Sequence, residues 1–154
     1  MSQPTPRNIE VFDKITGHIL VKLYESFPVP LNIEQEEVFK EVSKNCTDAD
    51  FVSKIYSEII PSTFYFLYDE KFIDYDQMSN TITPVNCFYT VRLTLKGFSL
   101  LRTIPTSIND NLQSTYFERL KNSIGQEGTK TAVSETVKLM FNSAFIGISE
   151  AFKQ

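Results

Sequence analysis

Between Phe64 and Lys96 the chain passes from an aromatic helix ending in FIDYD, through a polar stretch with a proline, into YTVRLTLKGFSLL. The segment from Cys87 to Leu95 is rich in β-branched and aromatic residues, and with the polar residues 77–86 before it reads as a β-hairpin. Thr94 stands where an N-cap belongs, ahead of a helix carrying Phe98, Leu100 and Leu101 that ends before Pro105. Helix, short strand, hairpin and new helix in that order leave few arrangements open. Within the run, Phe64, Tyr65, Phe66, Leu67 and Tyr68 are five consecutive large side chains, and a helix turning about 100° per residue cannot aim all five at one core. Either the chain's own C-terminal helices cover the remainder, or a partner protein or second copy does.

Upstream, Val11, Ile15, Ile19, Leu23 and Phe27 recur every four residues with Phe12 and Leu20 beside them, so one stripe of a helix over residues 8–27 is apolar. Asn8 is placed to cap that helix. Pro28 and Pro30 stop it, because each lacks an N–H and biases the preceding residue away from helix. His18, the only histidine, lies beside the stripe and reads as a core-edge residue. Asn32 with Gln35 three residues on has the form of a capping box, which predicts a second helix burying Val38, Phe39 and Val42. Thr47 and Asp50 mark a third start, before Phe51, Val52, Ile55, Ile59 and Ile60. Pro61 fits the first turn of a helix continuing to Phe72. The pair reads as a helix-turn-helix or as one helix kinked at Pro61.

Residues 106–111 form a small polar linker, followed by a helix predicted over 112–124 that ends at Gly125 and Gly128. The last helix, over 130–152, spaces Val133, Val137, Met140, Ala144, Ile148 and Ala151 close to a coiled-coil seam for about three heptads. On a neighbouring stripe Ser143, Gly147 and Ala151 permit close approach of another helix. Packing back on the preceding domain and pairing as a homodimer through 130–152 are both open from the pattern. Only about eleven apolar positions separate the charged residues of this helix, so a membrane role ranks last.

A chain of 154 residues, 42% hydrophobic, can bury roughly two-thirds of its unfolded surface, enough for one domain over 1–105 and an appended helical element over 106–154. It has no signal-peptide pattern and no run near the roughly 20 apolar residues of a membrane span, so a soluble, cytoplasmic protein with no membrane partner is expected. Charge is uneven. From Glu34 to Asp76 eleven acids face four bases, a net −7, whereas Arg92, Lys96 and Arg102 are the only charges from Gln77 to Ile104. The whole chain carries −4. DNA phosphates would be repelled by the acidic stretch.

The fold class that follows is mainly α with a small β-hairpin, an α+β chain: a winged helix-turn-helix followed by C-terminal helices. The phrases ILVKLYESFPVPLNI, FYFLYDEKFIDYD and VRLTLKGFSLL resemble a set of uncharacterised bacterial winged-helix-like proteins. That set resembles this chain in a first helix ending at a proline-broken FPVP corner, a helix closing in a glycine-phenylalanine-isoleucine turn, and an L-T-x-K-G exit from the wing. Lys71 stands here where that glycine would be usual. The resemblance covers Ile9 to Pro105 and implies a fold, with no catalytic residues to carry over.

Catalytic chemistry finds little footing. No GxGxxG, GxxxxGK[ST], HExxH or GxSxG pattern occurs, and any Ser-His or Cys-His pair would have to use His18, inside a helix. Cys46 and Cys87 lack a CxxC partner or nearby histidine, so neither a metal site nor a disulfide is expected. The acid pairs Glu36-Glu37, Asp48/Asp50 and Asp74/Asp76 fall in a solvated charge run. No enzyme and no cofactor are therefore expected. Two functions remain. One is a protein-binding module whose acidic, aromatic face engages and inhibits a basic protein partner, as immunity proteins and antitoxins do; its residues would be Glu58, Tyr65, Tyr68, Asp69 and Glu70, with Asp74 and Asp76 at the rim. The other is a winged-helix transcriptional regulator, dimeric through its last helix, that touches DNA with Arg92, Lys96 and Arg102.

Overall fold

The computed structural model of the protein describes residues 6–76, 87–105, 114–124 and 130–152. Its order is α1 (Arg7–Ser26), β1 (Leu31–Glu34), α2 (Gln35–Val42), α3 (Ala49–Lys54), a π-helical turn (Ile55–Ile59), α4 (Ile60–Asp69), β2 (Ile73–Asp76), β3 (Cys87–Leu93), α5 (Leu95–Leu101), α6 (Tyr116–Ile124) and α7 (Lys130–Phe152). The molecule is mostly helical, with one small antiparallel sheet in the strand order β1-β3-β2. The expected hairpin is thus part of a three-stranded sheet; its turn, 77–86, and the linker over 106–111 lie outside the described residues.

The apolar stripe of α1 is buried over most of its length, with Val11, Ile15, Ile19 and Leu23 in the core, but Phe27, expected as its last member, is the C-cap after Ser26 and is 36% exposed. The helix starts one residue before Asn8, at Arg7, with Pro6 and not Asn8 in the cap position. The expected capping box at Asn32 and Gln35 is instead a strand end. Leu31–Glu34 pairs with β3, Ile33 opposite Phe88 and Leu31 opposite Val91, and α2 begins at Gln35. Two residues of β1 therefore span three of β3, and β2 shows the same mismatch, with Asp74 opposite Arg92 and Asp76 opposite Tyr89. The extra residue is a bulge in the central strand. Thr90 takes φ of 51° there, rare for a β-branched residue, and its N–H is held by the Asn32 side-chain oxygen at 3.0 Å. The bulge leaves Tyr89 and Thr90 both outward while Phe88 and Val91 stay buried.

The third helix is capped by Asp48, one residue after the expected Thr47, whose carboxylate accepts from the N–H groups of Asp50 and Phe51. From Ala49 to Asp69 the chain is continuously helical, closer to a single helix with an irregularity than to two helices joined by a turn. The irregularity has a cause. In the π turn the Ile60 N–H donates five residues back to the Ile55 carbonyl. Pro61 comes next and has no N–H to give the Tyr56 carbonyl in the same way. Gln35 supplies the missing donor: its side chain is buried and its Nε2 donates to Tyr56 O. A residue expected to cap its own helix therefore satisfies the backbone of a neighbouring one.

The end of α4 is a left-handed cap. Phe72 N–H donates to Leu67 O at 2.9 Å and Lys71 N–H to Tyr68 O at 3.1 Å, with Lys71 at φ 67°. The LTLKG segment clasps this cap. Thr94 accepts from Gly97 N–H, as expected of an N-cap, and its hydroxyl reaches the carbonyls of Lys71 and Phe72. A Cβ on Gly97 would lie 2.3 Å from the Phe72 carbonyl oxygen, so the approach requires glycine.

The C-terminal helices fold back in cis. Tyr116, Leu120, Val133, Val137 and Met140 enter the same core as α1, α4 and the sheet. Gly17 on α1 permits the contact, since its Cβ position faces Val133, Leu120 and Ile124 at 3.3–3.7 Å. Ser143, on the small-residue stripe, takes the Tyr116 hydroxyl at 2.7 Å. The seam residues Val133, Val137 and Met140 are thus occupied within the chain. Helix α6 begins at Tyr116, and the side chains of Gly147, Ile148 and Ala151 lie outside the described ones.

Candidate interaction surface

The five consecutive large residues of α4 divide three ways. Phe64 and Leu67 are fully buried, Phe64 stacking on Phe88 of β3 with centroids 3.8 Å apart. Phe66 turns toward the tail, meeting Phe12 of α1 at 5.4 Å and Phe141 of α7 at 6.2 Å. Tyr65, 41% exposed, and Tyr68, half-buried, face away from the tail and toward the sheet. The C-terminal helices therefore cover the run only in part: Phe66 touches them yet stays 43% exposed, Tyr65 is open and Tyr68 is half-buried.

Those two tyrosines meet a third, Tyr75 of β2, which sequence reasoning passed over. The alternation in Ile73-Asp74-Tyr75-Asp76 was its available signal. Tyr68 and Tyr75 lie 4.9 Å apart at 58°, while Tyr65 and Tyr75 both set their rings edge-on to Phe88, at 6.3 and 5.6 Å. Phe88 is buried, so the cluster is fixed to the core from beneath. Burial pushes the Tyr75 hydroxyl up to about 12, and the neighbouring Tyr65, Tyr68 and Asp69 push in the same direction. Asp69 and Glu70 are exposed at the end of α4, Asp74 is half-buried and Asp76 exposed along β2. Together they give a patch of tyrosine rings with a carboxylate border. Glu58 belongs to another surface: it lines an open groove of about 280 Å³ between the first turns of α1 and the π turn, with Ile9, Phe12 and Phe66.

The three cations of the DNA alternative are each engaged within the chain. Arg92 faces Asp74 across the sheet at 3.8 Å. Lys96 donates to the Glu70 carbonyl at 2.9 Å and lies over the Phe72 ring at 4.4 Å, completing the clasp on α4. Arg102 lies over the Phe98 ring at 5.1 Å.

Other titratable groups serve packing. His18 is shielded, and burial, helped by Lys22, lowers its pKa. Cys46 and Cys87 are free thiols, and burial raises the Cys87 pKa. Among the described residues no group of His, Cys, Asp and Glu is arranged to hold a metal ion, and no helix is long and apolar enough to cross a membrane. Compared with known proteins, the chain matches no family, no curated protein and no solved structure.

Proposed function

We propose that the protein is a non-catalytic binding module that engages a basic protein partner in the cytoplasm, and inhibits it, through the tyrosine cluster and its carboxylate border. The observation that carries this reading is the exposure of Tyr65, with the half-buried Tyr68 beside it, next to the exposed Asp69 and Glu70 on the sheet side of α4. Tyrosine combines a large, stiff apolar body with a polar tip, which makes it a frequent anchor at protein interfaces. The net −7 of residues 34–76 would steer a basic surface toward it.

A second reading, a winged-helix DNA-binding regulator, draws support from the element order and the strand order β1-β3-β2, which are compatible with a winged helix. It would agree with the resemblance to bacterial winged-helix-like proteins. The side chains favour the first reading, because the helix that would enter a groove, α4, carries no base and ends in Asp69 and Glu70. With Val133, Val137 and Met140 occupied, dimerisation through α7 would use other residues of the helix, of which Leu139, 44% exposed, and Phe145, 72% exposed, are open.

Affinity capture of the tagged protein, with and without nuclease, tests the choice. A basic protein retained after nuclease treatment and lost on Asp69→Lys with Glu70→Lys is the expected result. Recovery of DNA alone, abolished by removing Arg92, Lys96 and Arg102, would overturn it in favour of the regulator.

A further inference from the structure

Lys71 is the one base in the run from Asp69 to Asp76, and it sits on the tyrosine cluster itself. It occupies a left-handed position, φ 67°, where glycine would be free of strain. Its ammonium lies over the Tyr68 ring, 5.8 Å from the centroid. The patch thus already holds a cation supplied by its own chain.

We propose that the Tyr68–Tyr75 pair, bordered by Asp69, is a seat for an arginine side chain of the basic partner, and that Lys71 fills this seat until the partner displaces it. The inference rests on the protein-binding reading and adds the chemistry of the contact. The two rings are inclined at 58° with centroids 4.9 Å apart, and Phe88 holds the Tyr75 side of the wedge from the core. A planar guanidinium stacks flat on a tyrosine face while its edge N–H groups reach a carboxylate. An ammonium is a compact charge with no plane to stack, so lysine gains less at the same place. The carboxylates around the rings disfavour phosphate, which makes a basic protein segment the occupant that the charge selects.

The test titrates the full chain with hexa-arginine and hexa-lysine peptides at matched ionic strength, read on the tyrosine ring signals by NMR. Saturable shifts at Tyr65, Tyr68 and Tyr75 are expected, with the arginine peptide tighter by about 2–5-fold. Lys71→Gly, conformationally at home in its position, should tighten binding by a similar factor, whereas Lys54→Ala, which removes an exposed charge from α3, should tighten it less. Tyr68→Leu should erase the preference for arginine. Equal affinity for the two peptides, an equal response to Lys71→Gly and Lys54→Ala, or duplex DNA shifting the same rings would each overturn the seat. Partner capture that depends on Asp69 and Glu70 without an arginine preference would remove this inference and leave the binding-module reading intact. An arginine preference without any captured basic protein would do the reverse.

Discussion

Asp13 lies on α1, 7% exposed, against α7, where the Ser134 hydroxyl donates to it and Glu10 stands one turn away. Burial disfavours its carboxylate, the Glu10 charge adds to that, and the Ser134 hydrogen bond only partly compensates, so a group that ordinarily titrates near 3.8 titrates at about 6. Each pKa unit corresponds to about 1.4 kcal/mol, so ionisation weakens the folded state by about 3 kcal/mol once it is complete. Because the folded pKa is raised, this stability is fully present below pH 3.8, declines as pH rises through 6, and is gone above about 7. Asp13→Asn keeps a partner for Ser134 and carries no charge at any pH. It should match the parent near pH 4 and exceed it by about 3 kcal/mol at pH 8, a rise in Tm of roughly 6–12 °C for a chain of this size. Urea unfolding of both proteins from pH 4 to 8 isolates Asp13 and its coupling to Glu10, because groups that do not interact with Asp13 cancel in the difference. A difference that stays flat with pH, or a variant less stable than the parent at pH 8, would refute the reasoning.

Three further perturbations follow from the backbone. Gly97→Ala places a Cβ 2.3 Å from the Phe72 carbonyl oxygen, which cannot rotate aside, and should cost about 3 kcal/mol in urea unfolding. Lys71→Gly relieves a left-handed lysine and should raise stability by about 1 kcal/mol by the same measurement. Gln35→Leu leaves the Tyr56 carbonyl without its donor inside the fold, an expected loss of about 1–3 kcal/mol; an unchanged midpoint would mean that water reaches that carbonyl.

The long helices were legible because their signal is local. Spacings of three and four marked α1 and α7, and the expected bounds of α7 agree with those observed. Strand β1 was illegible for the opposite reason: four residues are too few to display alternation, and their partners lie far along the chain in β3. Asn32 and Gln35 have capping chemistry, yet both spend it elsewhere, Asn32 on the Thr90 bulge and Gln35 on the Tyr56 carbonyl. For the candidate surface, the turn angle of a helix foretold that the run from Phe64 to Tyr68 must split. Which residues face outward depends on where the sheet and α7 pack, and Tyr75 joins the patch only through β2 lying beside α4. For Lys96, LTLKG reads as a charged exit, and its role as the clasp on the end of α4 comes only from the packing of that segment on the helix end.

The packing of α7 on α1 has a consequence in time. Roughly 115 residues separate Gly17 from Val133, and a ribosome adding about 5–20 residues per second leaves on the order of 5 to 25 s between the synthesis of one and of the other. Until that interval closes, the side of α1 around Gly17 is made without its full cover, which comes from Leu120, Ile124 and, last, Val133. A nascent chain arrested near residue 105 would present that strip to whatever surrounds it, so it is the synthesis of α6 and α7 that ends the exposure of this part of α1 to chaperones and to other copies of the chain.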